Sequence, residues 1–126
     1  MTSVGIDVYY ESSVLRVGAE AADMVEGGVW ILYADPIPDA LEEVSIVHAP
    51  TGELTREMRA GDRLWLGEDS VELTAVGERA NENLRTIGHV VIYLDQEDTQ
   101  LLPGAVHAKG SLPAPVAGTS LRLTAP

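Results

Sequence analysis

The sequence predicts a mainly β fold: a closed β-barrel of about six strands with an approximate internal two-fold axis and two or three short helices. Three observations support this prediction. Phenylalanine is absent, short β-rich runs alternate with glycine about every ten residues, and several patterns return about 60 residues later in the same order. Regularly spaced short runs of this kind are typical of small sandwiches and barrels.

Short patterns recur between the two halves of the chain with offsets of 57 to 60 residues. The most informative is the triplet Val47-His48-Ala49, which returns as Val106-His107-Ala108 in a chain with only three histidines. The other recurring pairs are Val17-Gly18 with Val76-Gly77, residues 28–33 with residues 88–93, and residues 60–66 with residues 117–123. We interpret the series as a duplication of a unit of about 60 residues, with repeats at roughly 4–66 and 67–126. The repeats are expected to share one core in a single domain, 1–126.

Runs rich in valine, leucine and isoleucine, separated by turn residues, mark the expected strands. They lie over residues 4–17, with an interruption near Glu11 and Ser12, and over residues 29–33, 44–48, 63–66, 71–76, 89–94, 105–108 and 120–124. Residues 67–70 are expected to form a hairpin turn between two of these runs. About six strands would then surround the core.

Two helices are expected at equivalent places in the repeats, over residues 19–26 and 78–87. In the second, Ala80, Leu84 and Ile87 follow one another at helical spacing, which predicts an apolar face toward the core, and Gly88 is placed as a C-cap. A third short helix is expected to begin at Pro38, because acidic residues follow the proline and favour a helix N-terminus.

The composition excludes several classes of function. Twenty acidic residues against eight basic ones give a formal net charge of −12, which repels nucleic-acid phosphates and anionic lipid surfaces. The same field would steer a basic face of a partner protein toward this chain. Cysteine is absent, which excludes thiolate metal sites and a cysteine nucleophile. With no apolar run near the ~18 residues of a membrane span and no signal-like N-terminus, we expect a cytoplasmic protein without membrane insertion.

The three histidines are the candidate nucleophiles, since the sequence has no phosphate-binding glycine loop and no serine elbow. His48 ends an apolar run and precedes a turn-forming string, so it is expected to be exposed at a rim. His107 is expected to share that geometry, or else to be a hydrogen-bonded remnant of the duplication. His89 opens an apolar strand and is expected to be buried and bonded to a backbone carbonyl. The histidine spacings of 41 and 18 residues match no local metal-ligand pattern, so no metal is expected.

An ordered series of motifs extends over nearly the whole chain. Its members are Val14-Leu15-Arg16-Val17-Gly18, Ile46-Val47-His48 with Gly52-Glu53-Leu54, Ala60-Gly61-Asp62, Thr74-Ala75-Val76-Gly77, Ala80 with Asn83-Leu84-Arg85, Gly88-His89, Leu94-Asp95, and Leu102-Pro103-Gly104 with Val106-His107. With this series the chain resembles the IIA component of the glucitol/sorbitol-specific branch of the bacterial sugar phosphotransferase system.

The resemblance implies a phosphoryl carrier in sugar uptake. Such a carrier takes its group from the histidine-containing phosphocarrier protein and passes it to a sugar-specific IIB component, which works with the IIC membrane component. It also implies that His48 is the phosphorylated residue. The chain departs from the family pattern after His48, where a second histidine two positions on is replaced by Pro50 and the loop before Gly52 is one residue longer.

Phosphoryl transfer passes through a loose, metaphosphate-like state, so the protein mainly positions the partners and holds the phosphate oxygens. Gly52 and neighbouring loop amides are the candidate phosphate cradle, and His107 or His89 are candidate supporting donors. An imidazole with an ordinary pKa of about 6.5 is neutral at cytoplasmic pH, so it can attack without a metal or other cofactor.

Three alternatives stay open from the sequence. His107 would be the carrier in place of His48 if the second repeat holds the site. The altered loop after His48 is compatible with a regulatory or partner-binding module that keeps the barrel but passes no phosphate on. In a plain ligand-binding barrel, all three histidines would be structural.

Overall fold

Eight strands close into one barrel in the computed structural model, which describes residues 7–126. They are β1 (Val8–Val17), β2 (Val29–Ala34), β3 (Ile46–Pro50), β4 (Arg63–Leu66), β5 (Asp69–Val76), β6 (Val90–Leu94), β7 (Ala105–Lys109) and β8 (Ser120–Thr124). The order around the barrel is β1-β3-β2-β6-β7-β5-β4-β8. The predicted closed barrel is therefore confirmed, and the predicted number of about six strands is wrong. Eight strands leave an interior that side chains can fill.

Three short helices connect the strands within the described part of the chain. They are α1 (Ala21–Glu26), α2 (Asp39–Glu42) and α3 (Ala80–Ile87). The helices α1 and α3 begin two residues later than predicted, because Glu20 and Arg79 have non-helical backbone angles, with φ −105° and −111°, and act as the N-cap residues. Gly88 caps α3 in the left-handed conformation, as predicted. Ile87 was expected to face the core but is 44% exposed.

The strand pairing repeats about an approximate two-fold axis. In the first half, β3 pairs antiparallel with β1 and parallel with β2. In the second half, β7 pairs antiparallel with β5 and parallel with β6. The halves meet where β2 pairs with β6 and β4 with β8, and also where β1 pairs with β8 and β4 with β5. This pattern confirms the predicted two-fold arrangement of the barrel and supports the interpretation that the chain arose by duplication.

Some predicted strand boundaries differ from the structure. Residues 4–6 of the first predicted strand lie outside the described residues. The strand β1 is not interrupted near Glu11 and Ser12, since both pair in register with β8. The strand β3 begins at Ile46 rather than residue 44, and β6 begins one residue later than predicted, at Val90. The strand β5 begins at Asp69, so a two-residue turn replaces the predicted four-residue one.

Two groups of buried apolar side chains lie on opposite faces of β2 and β3. The larger group includes Leu32 and Ile46, which together with residues of the other strands form the main core. Tyr33 and Val47, the neighbours in sequence, instead pack with Ile37 in a small second cluster. This alternation follows from the pleat of a β-strand, which points successive side chains to opposite faces. No helix of residues 7–126 is long and apolar enough to cross a membrane.

Candidate functional site

His48 lies in β3 with its side chain turned into the barrel. It is 1% exposed, and it lines a small interior cavity together with Tyr10, Leu84 and Val90. The prediction that His48 is exposed at a rim is therefore wrong. The reason is that β3 continues through Ala49 to Pro50, which still pair with β1, so the chain does not leave the sheet at the histidine.

Both ring nitrogens of His48 are hydrogen-bonded. Nε2 lies 2.7 Å from the carbonyl oxygen of Gly88, and Nδ1 lies 2.6 Å from Oγ of Ser12. A carbonyl oxygen only accepts, so Nε2 carries the proton of the neutral ring and donates to Gly88. Nδ1 then has the lone pair and accepts from the Ser12 hydroxyl. The contacts thus assign the Nε2–H tautomer to the ring.

Burial lowers the pKa of His48 below its usual range, and this effect outweighs the hydrogen bond to Gly88, which acts in the opposite direction. Desolvation penalises the imidazolium, so the ring is neutral near pH 7. A neutral imidazole is the nucleophilic form.

We predict that His48 makes the stability of the protein depend on pH. As pH falls through about 6.5, the unfolded chain takes up a proton at His48 that the folded barrel disfavours, so the free energy of unfolding decreases. Above that range the contribution is fully present. The loss is at most about 1.4 kcal/mol per pH unit. Urea unfolding at pH 7.5 and 5.5 should show a larger decrease for the wild type than for His48→Gln, and equal decreases would contradict the prediction.

The two Val-His-Ala triplets are not structurally equivalent. His48 pairs with Ala34 of β2 and Val14 of β1. In the second half, Leu94 and Leu73 take these places, and their partner is Ala108, not His107. The equivalent of His48 is thus Ala108, 60 positions later, whereas the two triplets are only 59 positions apart. A slip of one residue moves a side chain to the other face of the sheet, so the prediction that His107 shares the geometry of His48 is wrong.

His107 corresponds to Val47 and faces away from the barrel interior. It is 4% exposed, and its ring meets the edge of Tyr93, with ring centres 6.0 Å apart. Among the described residues no hydrogen-bond partner reaches Nε2 of His107. Two strands, β2 and β6, lie between β3 and β7 in the barrel. The structure therefore does not bring His107 together with His48.

His89 also lies outside the barrel interior. Its Nδ1 is 3.1 Å from the carbonyl oxygen of Leu32, which confirms the predicted bond to a backbone carbonyl. The ring is half-buried, not buried as was predicted, because it stacks on Tyr33 on the outer face of the barrel, with centres 4.4 Å apart. Tyr33 belongs to the second cluster, on the face opposite to the core. His89 is next to Gly88 in the chain, but its ring is held away from the ring of His48.

A cleft of about 360 Å³ lies near His48, on the other side of Tyr10, Leu84 and Gly88. The loop after β3, the last turn of α3 and the end of β2 form its walls. Tyr10 and Leu84 line both this cleft and the interior cavity that holds His48, and Gly88 lines the cleft as well. One layer of residues therefore separates the imidazole from the cleft. Nε2 is the ring atom on that side, since it is bonded to Gly88.

The cleft is lined by two carboxylates, Asp35 and Glu53, but two of its other residues suit an anion. Gly52, the predicted phosphate cradle, lies in its wall, and a side chain at this position would meet nothing within 4 Å. Arg85 is the one basic side chain among the described residues that line the cleft. It is half exposed and its nitrogen lies 3.9 Å from a carboxylate oxygen of Glu57. Such a loose surface pair holds an arginine weakly, so Arg85 is available to another anion.

Three residues that contact His48 or line the neighbouring cleft were not predicted as site residues. Arg85 and Gly88 stood in the motif series, but nothing in the sequence placed them near His48. Ser12 carried a signal that was misread: a polar residue in an apolar run suggested an interrupted strand. The structure shows an unbroken strand in which Ser12 is polar because it faces the imidazole.

Comparisons with known proteins agree with one another. Residues 9–122 match the family model described as PTS system glucitol/sorbitol-specific IIA component. Two similar proteins are the PTS system glucitol/sorbitol-specific EIIA components of Shigella flexneri and of Escherichia coli strain K12. Each is 34% identical over 114 residues, which is 90% of this chain and 92% of the relative. The crystal structure of a PTS system IIA component from Enterococcus faecalis V583 is similar in fold, with a TM-score of 0.77 at 22% identity, over 88% of this chain and 96% of that one.

Proposed function

The chain belongs to the family of glucitol/sorbitol-specific IIA components of the phosphotransferase system, and we propose that His48 is the residue on which it carries the phosphoryl group. The family's role is phosphoryl carriage in sugar uptake. The observation that carries the assignment to His48 is its position: a neutral imidazole one layer below a cleft that contains Arg85 and Gly52. By contrast, the ring of His89 is hydrogen-bonded to Leu32, which does not line that cleft, and among the described residues Nε2 of His107 has no hydrogen-bond partner.

The transfer uses Nε2 of His48. Nδ1 is covered by Ser12 inside the barrel, whereas the Nε2 side faces Gly88 and the cleft. The lone pair of Nε2 forms the new N–P bond as the N–P bond of the donor breaks, and the electron pair of that bond returns to the donor nitrogen. The ring keeps one proton, which must then reside on Nδ1.

The Gly88 carbonyl has to turn away for this transfer. In the structure it accepts a hydrogen bond from Nε2, the position that phosphorus would occupy. Once Nε2 is phosphorylated it has no proton to donate, and phosphate oxygens repel a carbonyl oxygen. Gly88 ends α3 in the left-handed conformation at φ 66°, where glycine is the residue with the least strain. Movement at this helix end would open the floor of the cleft to His48.

The cleft then stabilises the charge that develops in transfer. Phosphoryl transfer needs in-line positioning and donors to the equatorial oxygens. Arg85 supplies a guanidinium, and loop amides around Gly52 are the proposed cradle. The donor is proposed to be the phosphorylated histidine-containing phosphocarrier protein, and the acceptor a sugar-specific IIB component associated with the IIC membrane component. We place the exchange in the cytoplasm.

The assignment is tested by mapping the phosphoryl group. The protein is incubated with the phosphorylated phosphocarrier protein, quenched at alkaline pH because phosphohistidine is acid-labile, and analysed by mass spectrometry. One phosphoryl group on His48 is expected, and it should leave when the IIB component is added. Phosphate on His107 or His89 would overturn the assignment. Stable partner binding without phosphate on any histidine would favour the regulatory module.

Replacing Arg85 by glutamine is expected to slow phosphorylation of His48 by about tenfold, because a charge-assisted hydrogen bond to the phosphate is lost. The control is Arg79→Gln, which makes the same change in net charge at the other end of α3, away from the cleft. Initial rates of phosphoryl uptake at fixed donor concentration compare the two. Equal slowing in both variants would show that only the overall charge of the protein matters.

A further inference from the structure

We propose that Ser12 is a positioning residue for phosphoryl transfer: its hydroxyl donates a hydrogen bond to Nδ1 of His48 in the resting protein and accepts a hydrogen bond from Nδ1–H when Nε2 attacks. The inference rests on the proposed role of His48. Ser12 is 4% exposed, and its Oγ lies 2.6 Å from Nδ1.

A hydroxyl suits this place because it can donate and accept. In the resting protein the ring carries its proton on Nε2, so the Ser12 O–H points at the lone pair of Nδ1. For attack by Nε2 the proton must be on Nδ1, and the Ser12 hydroxyl then rotates and presents a lone pair. The Gly88 carbonyl satisfies only the resting tautomer. Ser12 is thus the ring contact that fits the histidine before and after transfer.

The ring proton of His48 has to move from Nε2 to Nδ1 before transfer. Nε2–H releases its proton to water, and Nδ1 takes up one proton from water, so the ring stays neutral and Nε2 has a free electron pair. The N–P bond then forms at Nε2, and the Nδ1–H bond is retained in the phosphorylated ring, which carries a formal positive charge. Inside the barrel that N–H needs an acceptor, since a buried donor without one is strongly unfavourable.

The second half of the barrel shows that the fold itself does not require this polar pair. Ser12 of β1 pairs with Leu121 of β8. The two-fold arrangement relates this pair to Val71 of β5 and Leu64 of β4, so Val71 is the residue equivalent to Ser12. The position equivalent to His48 is held by Ala108. Both members of the pair are therefore replaced together, by buried apolar residues. The serine hydroxyl therefore serves the imidazole, because the strand itself forms without it.

The test compares Ser12→Thr with Ser12→Val, two side chains of nearly the same shape of which only threonine has a hydroxyl. Phosphorylation of His48 is expected to be within about threefold of wild type in the threonine variant and about tenfold to a hundredfold slower in the valine variant. Ser12→Ala serves as a second hydroxyl-free variant without added volume. Equal rates in the threonine and valine variants, or a wild-type rate in the alanine variant, would overturn the inference.

A spectroscopic readout separates this inference from the proposed function. In the wild-type protein with ¹⁵N-labelled histidine, NMR should show the proton of His48 on Nε2 at rest and on Nδ1 after phosphorylation. Phosphorus on Nδ1 would overturn the role of Ser12 while leaving His48 as the carrier. Absence of phosphate from His48 in the wild type would refute the proposed function itself, and the role of Ser12 with it.

Discussion

A His48→Gln variant is expected to accept no phosphoryl group while keeping the barrel folded. The glutamine amide can donate to the Gly88 carbonyl and accept from the Ser12 hydroxyl, which are the two hydrogen bonds that the imidazole makes. It has no nucleophilic nitrogen, so transfer should fall by on the order of 10³-fold or more, the scale seen when a nucleophile is removed. Phosphate incorporation after incubation with the phosphorylated phosphocarrier protein measures the effect.

Two further variants control this experiment. The variant His48→Ala removes the imidazole altogether, and alanine also holds the equivalent position, Ala108, in the second half. In His107→Val the residue becomes the equivalent Val47, and near wild-type phosphorylation is expected. Phosphate that persists in both His48 variants, or that disappears in His107→Val, would contradict the assignment to His48.

The motif in the sequence indicates His48 as the proposed carrier, but the predicted location of its side chain at a rim is wrong. A turn-forming string after His48 suggested exposure, and nothing in the string reveals that Ala49 and Pro50 still pair with β1. The register across a barrel depends on partners distant in sequence, here Ser12 and Gly88, which a local pattern cannot show. The match between His107 and His48 fails for the same reason. The repeated triplet relates His48 to His107, whereas the strand pairing relates His48 to Ala108.

The architecture was more predictable than the site. Every predicted strand and helix exists within the described residues, because apolar runs and turn residues are local signals. The offset between halves predicted the two-fold arrangement. The number of strands around the core was underestimated, since closure depends on each strand pairing on both sides. The cleft formed by α3 and the loop after β3 is a tertiary feature with no counterpart in any single segment.

Gly77→Ala is expected to destabilise the protein by about 3 kcal/mol or more, which is roughly 10 °C or more in melting temperature. A Cβ at this position would lie against the carbonyl oxygens of Leu102 and Pro103, closer than real Cβ atoms come. These oxygens are backbone atoms, so the clash can be relieved only by moving the backbone. That movement would strain the 2.8 Å hydrogen bond from the N–H of Gly77 to the carbonyl oxygen of Ala105. Thermal and urea unfolding of the purified variant measure the loss.

Gly18→Ala should behave in the same way, because the two-fold arrangement gives it the same surroundings. Its Cβ would meet the carbonyl oxygens of Glu42 and Glu43, and its N–H donates to Ser45. The matched control is Gly52→Ala, where an added Cβ meets nothing within 4 Å, so stability should change by less than about 0.5 kcal/mol. The recurring Val-Gly pair would then reflect close backbone contact in both halves, whereas a small effect at Gly18 or Gly77 would contradict that explanation.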